Sequence, residues 1–400
     1  MFDIQKMFAY ADANRERSID CLKEMLQIPS VTGDEVPVSL AVSKRLEAAG
    51  LTVEKFEAVE NRPNLIATWK GSEKGKRFLF CSHLDVFPPD SNDPGRFGPW
   101  AGVVYEGNIY GRGATDMKGG SSASIMAITF LRELGFDFAG EIQSTWMCDE
   151  ENGGGLGVKW MVSQGLMKAD FGICTEPTYG RVSPVHGGIL RVKVTYDSVG
   201  QHAGQPYRFG IDAIEKAQRV LGPIYELARR VEMTKSPAYG SPCLSVTKIN
   251  AGDSPNVHPT GCTFWIDRRL IPGETHEAAL KEITMILDDF KAKDEAFTYR
   301  LEVTSDRPIL DIAEDDPHIV RLQATRQAIK GDIAPIYYMP GGSDAATIWK
   351  AYHYPIPNFG PGLLLEDCGV ANEKLSVEDY LDFVKIYMLS VVSAFEGGLS

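Results

Sequence analysis

No apolar run in the sequence approaches the ~20 residues a helix needs to cross a bilayer. The segment Met1 to Gln27 is charged and helix-like, without the apolar core of a signal peptide. An excess of positive charge is lacking too. The net charge is −13, which argues against nucleic acid or an anionic membrane as a partner. Nor is there a disulfide framework: seven cysteines, an odd number without regular spacing, suit a reducing compartment. Together these absences lead to the expectation of a cytoplasmic protein.

What remains is ordinary globular material, 44% apolar and 24% charged, and 400 residues favour two domains over one. The apolar run Arg77-Phe78-Leu79-Phe80 reads as a buried strand that delivers Cys81-Ser82-His83-Leu84-Asp85 to its carboxyl end. Ligands bind at that edge of open α/β sheets. Before it, an amphipathic helix is expected over 4–27, a second over 35–49, and strands over 52–57 and 64–69. A long loop, 87–110, rich in Pro, Asp and Gly, follows Asp85. Next come a glycine-dense turn around Asp116, a helix over 121–134, a strand over 141–147, a helix over 155–164 and a strand over 170–174. This alternation implies a sheet with helices on both faces.

The pattern changes after Gly187-Gly188. Strand 188–197, helix 211–229, strands 243–250 and 262–271, helix 275–291 and strand 297–303 give the β-α-β-β-α-β order of a ferredoxin-like unit. A helix at 316–330, a turn at 340–344, a strand at 356–359 and a helix at 376–395 return to the first layer. The expected fold is therefore a mixed-sheet α/β/α domain, residues 1–186 and 305–400, with an inserted ferredoxin-like α+β domain, 187–304.

Chemistry-bearing residues stand at the strand ends. His83 and Asp85 project to one side of their strand, so Asp85 can hold the ring nitrogen that His83 does not offer to a metal. Asp116 precedes a helix and reads either as an N-cap or as a ligand whose surrounding glycines allow close approach. Asp149-Glu150-Glu151 follows the buried-strand composition Trp146-Met147-Cys148. Carboxylates carried there need a compensating cation. Glu176, before Pro177, repeats the placement.

The motifs Ser82-His83-Leu84-Asp85, Gly113-Ala114-Thr115-Asp116-Met117-Lys118-Gly119-Gly120, Asp149-Glu150-Glu151-Asn152-Gly153-Gly154 and Thr175-Glu176-Pro177-Thr178 resemble those of the co-catalytic zinc amidohydrolases. That family includes acetylornithine deacetylase, succinyl-diaminopimelate desuccinylase, aminoacylase and glutamate carboxypeptidase. The resemblance implies that His83 and Glu176 bind one metal and that Asp116 bridges to a second held by Glu151. It makes Glu150 the general base and Asp85 the residue that orients His83, and it implies a cis peptide at Asp116–Met117. The inserted domain becomes a lid and dimerisation domain, with His202 reaching the active site of the partner in a homodimer. Asn256, Arg269, Gly342 and Ser343 fall where the family contacts substrate; for Arg269 an ion pair with Asp267 is the competing reading.

One departure stands out. The resemblance calls for a histidine ligand three residues before Asn372-Glu373, but Gly369 stands there and no histidine follows His353. Cys368, next to it, is a competent zinc ligand. The implied activity is hydrolysis of an N-acyl amino acid by water activated on one or two zinc ions, with cobalt or manganese as alternatives. Two other readings remain open, a dipeptidase or carboxypeptidase and a metabolite-binding homologue that has lost turnover.

Overall fold

The computed structural model describes residues 2–397 except 91, 93, 237 and 238. The chain divides into two compact units. One comprises Met1–Val185, Leu310–Met339 and Ser343–Ser400; the other comprises His186–Ile309 and Pro340–Gly342.

The first unit opens with α1 (Ile4–Ala13) and α2 (Arg15–Leu26), where one helix was expected. The break is Asn14, at φ −109° and ψ 22°, whose side-chain amide donates to the Tyr10 carbonyl at 2.9 Å. Such local bonding competes with continuing the helix. Then follow α3 (Val36–Ala48), β1 (Thr52–Glu57), β2 (Pro63–Lys70) and β3 (Glu73–His83). The stretch expected as a long loop instead holds a hairpin, β4 (Val103–Tyr105) and β5 (Asn108–Tyr110). The strand Lys374–Ser376 pairs with β5 and carries the C-terminal segment alongside the Asp116 turn.

Helix α4 (Lys118–Glu133), β6 (Ala139–Met147), α5 (Val158–Ser163) and β7 (Phe171–Cys174) complete the first part of the unit. The five strands order as β1-β2-β6-β3-β7. Strands β6, β3 and β7 run parallel, while β1 and β2 are antiparallel. Residues Phe78 to Cys81 of β3 are all fully buried, the continuous apolar run that a covered parallel strand requires. Beside β7, the segment expected as strand 356–359 receives and returns hydrogen bonds at Pro357 and Phe359 (2.9 and 2.8 Å). Prolines at 355 and 357 have no N–H to give, so the ladder does not become a regular strand. Helices α8 (Pro317–Lys330) and α11 (Val377–Glu396) pack together, and α11 also covers α4.

In the second unit the strands Cys243–Ala251, Gly261–Leu270, Gly188–Asp197 and Tyr299–Arg307 lie in that spatial order, all antiparallel. Helices α6 (Ala213–Met233) and α7 (His276–Lys293) pack on this sheet and on each other. Its core alternates along the strands: Leu190, Val192, Val194 and Tyr196 are buried together with Phe264 and Ile266. This is the ferredoxin-like arrangement expected from the order of elements.

Candidate metal centre

The parallel register explains why distant residues meet. His83 pairs with Met147, and Cys81 with Cys174, so β3, β6 and β7 end on one edge. His83 stands on that edge, Glu150 and Glu151 follow within one short turn of β6, and Glu176 lies two residues beyond β7. Asp116 arrives from the turn between the β4–β5 hairpin and α4.

His83 is 2% exposed. Its Nδ1 lies 2.8 Å from the main-chain carbonyl of Asp85, which leaves Nε2 directed at the acids. That nitrogen is 3.2 Å from Asp116 Oδ1 and 3.8 Å from Glu176 Oε1. Ligand atoms of His83, Asp116 and Glu151 all lie within 4.8 Å of one another. The peptide bond between Asp116 and Met117 is cis. Helix α4 takes Met117 as its N-terminal flank, without a side-chain cap, so Asp116 is not serving as a helix cap.

The Asp85 carboxylate sits 3.7 Å from the His83 ring and is engaged elsewhere. It accepts the main-chain N–H groups of Glu150 (3.0 Å) and Glu151 (3.1 Å) and the Thr32 hydroxyl (2.8 Å). Asp85 therefore holds the imidazole through its backbone and the acidic turn through its side chain. Asp149, the first acid of the run, turns away to Arg62 (3.1 Å) and to the N–H of Leu156 (3.0 Å).

Burial pushes the Glu151 carboxyl up to about 10, and the Asp116 charge adds to the shift. Glu176 is raised well above the carboxylate range by the same two causes in the same order. Burial opposes a charged His83, but the Asp116 hydrogen bond and the charges of Glu176 and Glu150 outweigh it and raise its pKa. A pocket of this kind, with several buried carboxylates around one imidazole, suits a positive charge. Glu151 Oε1, buried and without a hydrogen-bond partner, says the same. The donors, one imidazole and three carboxylates, suit a divalent cation of zinc type.

Two further residues frame the centre. Cys368, which follows α10 (Leu364–Asp367), donates from Sγ to Asp116 Oδ2 at 3.1 Å. Gly369 at φ +73° has open space where a Cβ would stand. Glu373 was visible in the sequence only as part of a motif pair. It accepts the N–H groups of Thr115 (3.0 Å) and Asp116 (3.1 Å) on one oxygen and binds Arg112 (2.7 Å) with the other.

The remaining expected residues are placed as follows. His202, Asn256, Arg269 and Gly342 belong to the second unit, and Ser343 to the first. His202 lies exposed in a bridge to Val257, its Nδ1 accepting the Gly204 N–H at 3.0 Å. The neighbouring Ala203 N–H donates to the Asn256 carbonyl at 2.9 Å. Arg269 is engaged by Asp267 at 2.6 Å, the ion pair weighed against substrate contact. Gly342 gives its carbonyl to Arg307 (3.0 Å), and Ser343 is buried with its hydroxyl on Asn358 (2.8 Å).

A carboxylate-rich pocket with Glu150 beside it, on the ligand edge of a mixed α/β sheet, is an arrangement that suits a metal-dependent hydrolase. The chain belongs to peptidase family M20/M25/M40, whose family model matches residues 79–392. It is 25% identical to the N-formyl-4-amino-5-aminomethyl-2-methylpyrimidine deformylase of Halalkalibacterium halodurans, across 96% of this chain and 95% of that protein. It is 29% identical to the succinyl-diaminopimelate desuccinylase of Methylobacterium nodulans, across 84% and 86%. The fold is that of the di-peptidase Dug1p from Saccharomyces cerevisiae, with a TM-score of 0.78, 15% identity and 99% of both chains covered. Among the described residues, no helix is long and apolar enough to cross a membrane.

Proposed function

We propose that this chain hydrolyses the amide bond of a small N-acyl amino acid or related N-acyl compound, in the manner of a deacetylase or desuccinylase. The observation that carries the reading is the convergence of His83, Asp116 and Glu151 within 4.8 Å, with Glu176 3.8 Å from the same imidazole nitrogen. The relatives named as a deformylase and a desuccinylase support the acyl-amide class over a peptide.

In this reading His83, Asp116 and Glu176 would hold a divalent ion, and Asp116 and Glu151, with Cys368 beside them, would hold a second. Zinc fits the donors, with cobalt as an alternative at either position and manganese at the His83 and Glu176 position. An ion held there would supply Lewis-acid activation of water and of the scissile carbonyl. Glu150, fixed through its N–H by Asp85, takes the proton of the attacking water and passes it to the leaving nitrogen.

His202 accepts the Gly204 N–H on Nδ1, which puts its own proton on Nε2, ready to donate to the developing oxyanion. It acts from a second copy of the chain in a homodimer, the unit 186–309 serving as lid and dimerisation domain. Asn256, Arg269 and the turn at Gly342 and Ser343 bind the substrate's polar groups, and Arg269 leaves Asp267 to do so. The test is a hydrolysis panel of N-formyl, N-acetyl and N-succinyl amino acids beside dipeptides. The reading expects turnover of an acyl substrate that stops with chelator; turnover of dipeptides alone would replace it with a peptidase.

A further inference from the structure

The two oxygens of Asp116 face unlike donors. Oδ1 looks toward an imidazole, His83 Nε2 at 3.2 Å, and Oδ2 toward a thiol, Cys368 Sγ at 3.1 Å. Glu176 lies near the imidazole, 3.8 Å from Nε2. Glu151, with a ligand atom within 4.8 Å of one on Asp116, offers a buried oxygen without a hydrogen-bond partner. The other acid close by, Glu373, is spent: one oxygen takes two main-chain N–H groups and the other binds Arg112. The thiol is thus the donor left over beside Asp116 Oδ2.

We infer that Asp116 joins two chemically different cation positions, a nitrogen–oxygen position at His83 and Glu176 and a sulfur–oxygen position at Glu151 and Cys368. The sulfur makes the second position selective for thiophilic divalent ions such as zinc, cobalt or cadmium, against magnesium, calcium and manganese. Thiolate suits the first group, whereas sites of carboxylate and water alone suit the second. This inference rests on the metal-dependent reading above and deepens it. On filling, the thiol loses its proton to solvent and the sulfur takes the cation in place of that proton; no electrons are transferred. The two positions then fill in order of ion thiophilicity, and a mixed-metal enzyme becomes accessible: a hard ion at His83 and Glu176 with a thiophilic one at Cys368.

The test titrates the metal-free full chain with cobalt(II) and follows its absorption. Two ions should bind, with visible ligand-field bands from both and a near-ultraviolet thiolate-to-cobalt charge-transfer band from one. In Cys368→Ser the charge-transfer band should vanish while the ligand-field bands of the His83 position and the circular dichroism of the fold persist. In Cys368→Asp the second position should accept manganese, which the parent chain refuses there. Two bound cobalt ions without a charge-transfer band, or a band that survives Cys368→Ser, would overturn the sulfur position and leave the hydrolase reading standing. A chain that takes up no cobalt overturns both.

Discussion

The carboxylate of Asp85 accepts the main-chain N–H of Glu150 at 3.0 Å, and this bond ties the orientation of the glutamate to the strand that carries His83. The second carboxylate oxygen does the same for Glu151. Removing the side chain in Asp85→Ala should lower kcat by ~10–100-fold, the usual cost of losing support behind a metal site. Asp85→Asn keeps one acceptor oxygen and should lose less. Metal bound at His83 should survive both changes, because the ring rests on the Asp85 carbonyl. Turnover per bound metal, measured on each variant, checks this.

Glu150 is 4% exposed and lies within electrostatic reach of Asp85 and of His83. Glu150→Gln removes the proton acceptor of the proposed reaction and preserves shape. The loss in kcat should be ~10²–10⁴-fold, with metal content and thermal midpoint unchanged. Kinetics beside metal analysis and a melting curve separate the roles.

Arg112 and Glu373 are buried partners, 4% and 3% exposed. Glu373→Gln leaves the Arg112 charge uncompensated and should cost about 3–5 kcal/mol of stability. The amide still offers an oxygen to Thr115 and Asp116, so the variant that folds should bind metal more weakly instead of losing it. Urea unfolding and a metal titration read the two effects separately.

His318 gives a pH dependence away from the metal. Burial, opposed by its bond to the Gly172 carbonyl and aided by the Arg321 charge, lowers its pKa from 6.5 to about 4. A base depressed in the folded state contributes stability that is full above 6.5 and is lost as the pH falls toward 4. The loss is on the order of 3 kcal/mol over that window. His318→Gln should flatten this part of the stability–pH curve relative to the parent chain, as followed by urea midpoints between pH 7 and 4.

Much of this was legible in the sequence because strand composition and strand ends carry it. The apolar run before His83 and the acids after Met147 and Cys174 had to share an edge once β3, β6 and β7 were parallel. The Asp116 ambiguity was not resolvable from sequence, since an N-cap and a ligand share the same local pattern. The hairpin Val103–Tyr110 was hidden by its shortness and by the Pro, Asp and Gly around it, and with it the pairing that brings residues 368–376 to Asp116. The sequence alone therefore does not mark Glu373 as the support of the Asp116 turn, because the two are joined by tertiary pairing alone. The role of the Asp85 carboxylate also needed coordinates, because i and i+2 spacing gives a side and not a partner.

The most direct measurement of the central claim is anomalous diffraction at the zinc edge from crystals of the metal-loaded chain. The expected map has one peak at ligand distance, ~2.0–2.2 Å, from His83 Nε2 and a Glu176 oxygen, and a second near Glu151, with Asp116 between them. Zinc located elsewhere, with these four side chains empty, would contradict it.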